Sequence, residues 1–218
     1  MTIKSTLKSK WKMLSMLLLL ITSVGCVGWY LKTLTPPPPP CPIKTLMLDE
    51  SVIPEQLNSV SYSDEPADRF GIQFRSVSFF SSQDYHLGKI DQTVYREWTE
   101  REAKRGYEDL VDTYFDPRAR FFCRDKKTQW LVPQELTYRS EFADQFQLGC
   151  TVDCSTNPPR CQYIARYGIY VVWYHARLSE VITYTEFERI LQDIDSRMTQ
   201  CLEQIENEAT ATGTALVP

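Results

Sequence analysis

Cys41, Cys123, Cys150, Cys154, Cys161 and Cys201 are the residues of this chain with the most chemistry to offer. Thiols pair as disulfides, hold a metal as thiolates, or attack a substrate, and spacing and compartment decide among these. An even set in a domain that leaves the cytoplasm reads as a disulfide framework. The rival is a metal site built from Cys150, Cys154 and Cys161 with His175. That spacing lacks the paired C-x2-C knuckles of structural zinc, and an oxidising compartment competes for the thiols, so no metal and no cofactor is expected. Neither a C-x-x-C redox pair nor a C-x-x-C-H haem site occurs.

His86, beside Asp84 in a polar turn, and His175, on a strand among aromatic neighbours, are the two side chains able to act as bases near neutral pH. A lone histidine on a strand reads as a packed core residue. A nucleophile elbow, a zinc-binding H-E-x-x-H helix, a phosphate loop and a dinucleotide-binding G-x-G-x-x-G are all absent, and eight glycines leave little material for such loops. The pairs Asp193/Asp195 and Glu206/Glu208 stand two residues apart on a helical pattern, so they diverge and read as a solvated face. No catalytic residue is expected, and the chain is read as something other than an enzyme.

The compartment that decides the cysteines is set by residues 13–31. These nineteen residues, Met13 to Leu31, carry no charge and are long enough to span a bilayer as one helix. Lys4, Lys8, Lys10 and Lys12 precede the stretch and Lys32 follows it, so residues 1–12 are expected as a basic cytoplasmic tail and everything beyond 32 outside. Trp11 at one end and Trp29 with Tyr30 at the other suit the two headgroup levels. The competing reading is a lipoprotein signal cut before an acylated Cys26. Against it, Ser23 stands where such signals carry Leu, and Val27 to Leu31 stay apolar where a mature lipoprotein turns polar. Both readings leave the domain tethered to a membrane. Residues 32–40 end in five consecutive prolines, a polyproline rod of roughly 15 Å at ~3.1 Å per residue that holds the domain off the bilayer.

Residues 41–208 are one domain by length, and 43% apolar with 12% aromatic content gives it a core. With the five lysines up to Lys32 set aside, 19 basic stand against 28 acidic residues, a net charge near −9 that repels nucleic acid. Strands are expected at Pro42–Asp49, at Arg69–Ser81 with a bulge near Arg75, and at Ile90–Trp98, with a loop from Glu50 to Arg69. The capping box Thr99/Glu102 opens a helix to Phe115. Further strands are expected at Arg120–Arg124, at Phe142–Val152, and as a hairpin within Gln162–Leu178 turning at Tyr167-Gly168, with Trp130 in a loop. The hairpin's second arm puts Ile169, Val171, Trp173 and His175 on one face and Tyr170, Val172, Tyr174 and Ala176 on the other. It therefore reads as a central strand covered on both sides.

A second capping box, Thr185/Glu188, opens a last helix whose stripe is Phe187, Ile190, Leu191, Ile194, Met198, Cys201, Leu202 and Ile205. Residues 209–218 are expected as a disordered tail. The order β-β-β-α-β-β-β-β-α predicts an α+β fold, a mainly antiparallel sheet carrying two amphipathic helices, whose halves loosely echo each other. If the strand ending at Val152 and the one starting at Gln162 are antiparallel neighbours, Cys150 faces Cys161. Cys154 then looks to Cys123, and Cys201 on the helix stripe to Cys41.

No family resemblance enters this reading. The function it supports is a membrane-anchored extracytoplasmic binding module, an accessory or structural subunit docking on an exported or membrane protein. A small-ligand sensor with a cleft between sheet and helices is the alternative, and a hydrolase with an unrecognised site comes after it.

Overall fold

In a computed structural model, the described residues are 41–65, 73–82, 88–116, 129–152 and 159–211. The basic tail, the expected anchor, the proline rod, Cys26, His86, Cys123, Cys154, the strand expected at 120–124 and residues 212–218 lie outside them. Among the described residues no helix is long and apolar enough to cross a membrane.

The chain is an α+β fold around a seven-stranded sheet in which every neighbouring pair is antiparallel. Its strands are β1 Ser59–Glu65, β2 Gln73–Phe80, β3 Lys89–Arg96, β4 Gln129–Leu131, β5 Gln145–Val152, β6 Arg160–Tyr167 and β7 Tyr170–Arg177. Helix α1 (Ile43–Leu46) and a 3-10 turn (Glu50–Val52) precede them, α2 (Glu100–Tyr114) follows β3, and α3 (Tyr184–Ala211) follows β7. The spatial order β1-β2-β3-β7-β6-β5-β4 makes each half a meander that ends in a strand and a helix. The two closing strands, β3 and β7, pair at the centre, with Val94 opposite Val172.

The helices take opposite faces. Val171 and Ile164 pack with Ala103 and Tyr107 of α2. Tyr170, Val172, Tyr174 and Ala176 turn the other way, into the larger core with Phe187, Ile190, Leu191, Ile194 and Met198 of α3. A strand buried on both faces needs apolar residues of both parities, which is why β7 reads as an almost continuous apolar run. Each such side chain taken fully out of water contributes about 1.5–3 kcal/mol.

Local chemistry starts the helices. Thr99 Oγ1 accepts the Glu102 amide at 3.2 Å and sits 3.1 Å from the Glu102 carboxylate, closing the expected box. The last helix starts two residues earlier than expected. Thr183 Oγ1, not Thr185, accepts the Glu186 amide, because Glu188 is turned to the loop before β5, where it accepts the amides of Thr137 and Tyr138. Gly168, at φ 58, makes the turn between β6 and β7 that the hairpin requires.

Further expectations are corrected. Residues 43–46 are helical rather than a strand, and the first strand lies at 59–65, inside the expected loop. Leu46 and Leu48 keep their apolar role, but Gln92 of β3 receives this segment end-on. It accepts the Leu48 amide at 2.7 Å and donates to the Leu46 carbonyl at 3.2 Å. No bulge interrupts β2, since Arg75 stays in register with Asp64 on one side and Val94 on the other. The mixed parity of its apolar residues has another cause: partners on both faces. Trp130 lies in the edge strand β4 rather than a loop, because it pairs with Thr151 of β5, and Phe115 beyond α2 tilts against its ring at 5.1 Å. The helix α3 runs to Ala211, into the stretch expected to fray.

Asp193 and Asp195 are corrected too, because neither belongs to a solvated face. Asp193 pairs with Arg197 at 2.6 Å. Asp195 is only 5% exposed. Its Oδ1 accepts hydrogen bonds from Tyr167 and, at 2.9 Å, from Ser140, while Oδ2 accepts from Tyr138. The Tyr163 and Tyr167 hydroxyls lie 2.9 Å apart and extend the network. Burial first, then neighbouring Tyr163 and Asp195, pushes Tyr138 and Tyr167 far above the usual phenol range, and Tyr163 is pushed up to about 12, mainly by burial.

Candidate functional site

Cys150 and Cys161 stand directly opposite each other where β5 meets β6, and they are bridged. Cys41 is bridged to Cys201 across 160 residues of chain. All four are nearly or fully buried, so both bridges belong to the core. Bridged sulfurs are not thiolates, which removes Cys150 and Cys161 as metal ligands. The second bridge ties the start of the domain to α3, and other bonds repeat the tie. The Tyr170 hydroxyl accepts the Cys41 amide at 3.3 Å and donates to its carbonyl at 3.1 Å. Arg197 bonds the Met47 carbonyl at 3.1 Å and Asp49 at 2.7 Å. The Asp49 carboxyl is held down at about 2 by its bond from Ser51 and then by Arg197.

His175 lies on the α2 face of the sheet, in a cleft of about 520 Å³. The alternation of β7 sends Val171, Trp173, His175 and Arg177 to that face in succession, and α2 covers the first two. The helix ends with Tyr114 stacked on Trp173 at 4.2 Å. Trp173 in turn lies parallel to His175 at 5.4 Å, so three rings form one wall. Gln162 of β6 fastens the corner, donating to the Tyr114 carbonyl at 2.8 Å and facing the Trp173 indole N–H at 3.5 Å. Past the rings, Lys89, Arg177 and Arg160 form a row across β3, β7 and β6, each directly opposite the next. All three line the cleft.

The electrostatics of the next row follow from Asp91. Its Oδ1 holds Lys89 at 2.7 Å and accepts the Ser78 hydroxyl, while His175 Nδ1 lies 3.2 Å from Oδ2 without the alignment of a hydrogen bond. Burial lowers the His175 pKa to about 4, against the opposing pull of Asp91 and with help from Lys89 and Arg160. The ring is therefore neutral at pH 7. Ser78 bonds the carboxylate and not the imidazole, so this serine, aspartate and histidine do not form a relay that would activate the hydroxyl. Arg160 is lowered too, by burial and then by Arg177. The cleft thus sets basic side chains beside a wall of flat rings.

Sequence reasoning singled out His175 and its aromatic neighbours but missed Lys89, Asp91, Arg160 and Arg177. The parity of Arg177 with His175 was visible; the register that sets Lys89 and Arg160 beside it was not. Among the described residues no three His, Cys, Asp or Glu side chains group as a metal site.

Neither a protein-family model nor a curated protein matches this chain. Among solved structures it is similar to the extracellular domain of PknH from Mycobacterium tuberculosis, at 10% identity and a TM-score of 0.40, over 75% of this chain and 94% of that one.

Proposed function

We propose that this chain is a membrane-anchored binding module whose folded domain works outside the cytoplasm, docking on an exported or membrane protein as an accessory or structural subunit. The observation that carries the reading is the pair of core disulfides, Cys41–Cys201 and Cys150–Cys161. Disulfides persist in oxidising compartments and are reduced in the cytosol. The uncharged stretch 13–31 and the lysines before it supply the anchor and its orientation. The bonds from Tyr170 and Arg197 to the first residues of the domain suit a domain held at its N-terminal end.

Protease added to spheroplasts, followed by detection of a C-terminal tag, tests the placement. Loss of the tagged domain from intact spheroplasts is expected, and its full protection overturns the reading. Gentle solubilisation and co-purification then tests docking, with a single partner in fixed stoichiometry as the expected result. A second reading, a small-ligand sensor, draws on the cleft beside α2.

A further inference from the structure

The two end strands of the sheet differ in length. β4 pairs over Gln129–Leu131, while β1 pairs over all of Ser59–Glu65, seven residues in continuous register with β2. Among the described residues β2 is the one neighbour of β1. An end strand presents a row of amides and carbonyls that templates another strand, and monomeric folds blunt it with lysine, proline, a bulge or shortness. β1 carries no lysine and no proline, and its register holds no bulge. At its middle Ser61, Tyr62 and Ser63 are all exposed, Tyr62 at 49%. Successive residues of a strand point to opposite faces, so the edge is open on both sides of the sheet at this point.

We propose that β1 is a self-pairing interface, through which a second copy of this chain adds its own β1 antiparallel about a two-fold axis at Tyr62. The strand's own order of residues suits a copy of itself. An axis at Tyr62 uses the whole strand and sets Ser59 opposite Glu65, Val60 opposite Asp64 and Ser61 opposite Ser63, each twice. The acidic positions 64 and 65 therefore never oppose their own copies, an arrangement in which like charges would repel. Tyr62 meets Tyr62 of the second copy as an aromatic cross-strand pair, beside the Arg75 guanidinium that stands over the ring at 5.5 Å. On the other face Ser61 and Ser63 form two hydroxyl pairs, as Ser76 and Thr93 do between β2 and β3 at 2.8 Å. Seven residues a side is small beside the roughly 20–30 of a stable interface, so the dimer is weak in dilute solution and populated where copies are concentrated on one membrane. The concentrating step rests on the anchor reading, and the edge itself does not.

The test is oxidative cross-linking of the purified full chain in proteoliposomes, with the parent chain as background. Tyr62→Cys is expected to give a covalent dimer, because residues paired on the axis bring their Cβ atoms within about 5.5 Å. Asn58→Cys, exposed but four residues off the axis, stands about 27 Å from its counterpart at ~3.4 Å per residue and is expected to stay at background. Energy transfer between donor- and acceptor-labelled copies supplies the second measurement. Tyr62→Lys and Tyr62→Glu each set like charges across the axis and should lower the dimer fraction several-fold, ~3–10, while a mixture of the two should restore it. Both changes fall at a half-exposed edge position and leave the core intact. Tyr62→Cys cross-linking no better than Asn58→Cys overturns the proposal, as it would if the edge serves a strand of another protein. Energy transfer unchanged in both charge variants, or a mixture no better than either alone, also overturns it. Since only this chain is present, neither result bears on docking with an exported partner, and a failed co-purification leaves the self-pairing result standing.

Discussion

Removing the Asp195 carboxylate should be among the most damaging single changes to this domain. In the folded chain it accepts hydroxyls from Tyr138, Tyr167 and Ser140 while only 5% exposed. In Asp195→Ala, Tyr138 keeps only the Leu191 carbonyl at 3.4 Å and Tyr167 only the Tyr163 hydroxyl at 2.9 Å, in a site where Tyr163 and Tyr167 are fully buried. Each of the two loses a hydrogen bond to a charged acceptor, at a cost of about 1.5–3 kcal/mol. Ser140 is half-buried and turns to water at little cost. Deleting a buried charge also releases its desolvation penalty, which offsets part of the loss. The expected net destabilisation is about 2–4 kcal/mol, a large share of the 5–15 kcal/mol typical of a domain. Asp195→Asn keeps the volume and one acceptor, and a tyrosine hydroxyl can rotate to accept from the amide, so about 1–2 kcal/mol is expected. The assay is urea unfolding followed by circular dichroism, read as a shift of midpoint at unchanged slope. Tyr167→Phe in the parent and in Asp195→Ala completes a cycle with an expected coupling of about 1–2 kcal/mol. A loss below about 1 kcal/mol for Asp195→Ala, or additivity in the cycle, would refute the picture of a buried acceptor shared by the tyrosines.

The two bridges should differ in worth because they close loops of 160 and 11 residues. Chain entropy gives about 5 kcal/mol for Cys41–Cys201 and about 3 kcal/mol for Cys150–Cys161, so the paired alanine variants should separate by about 2 kcal/mol in urea, and the reverse order would contradict the entropic account. Acid should weaken the fold through His175. The unfolded ring takes a proton near 6.5 and the folded one only near 4, so the unfolded state binds more protons between these values and stability falls as pH drops through the window, by up to about 3 kcal/mol. His175→Gln should flatten that part of the stability curve, and an unchanged curve would show that the ring is solvated. Gly88→Ala should cost about 1–3 kcal/mol, measured by thermal unfolding, because at φ 106 the new Cβ would meet the Arg177 carbonyl oxygen at 2.7 Å.

The sequence by itself determined what periodicity and local chemistry encode. The stripe from Phe187 to Cys201 specifies one face of a helix whatever it packs on, and the six residues Phe187, Ile190, Leu191, Ile194, Met198 and Cys201 are all buried. Thr99 with Glu102 marks a helix start because the hydroxyl needs only an amide three residues on. The two-sided apolar run of β7 announces a central strand, since no strand with one wet face tolerates it. The opposition of Cys150 and Cys161 was legible because both flank one short connection between antiparallel strands.

Tertiary structure decided everything that depends on contacts distant in sequence. Leu46 to Leu48 alternate well enough for a strand, yet they are held by the side chain of Gln92, a partner no local pattern reveals. Asp195 looks like a surface charge by spacing and becomes a core acceptor only when Tyr138 and Tyr167 arrive from other elements. The cation row is the clearest case. Lys89, Arg160 and Arg177 are unremarkable singly, and their meeting depends on the register of β3, β7 and β6. Shifting a strand by one residue would send its cation to the opposite face, so the cleft exists only in the assembled sheet.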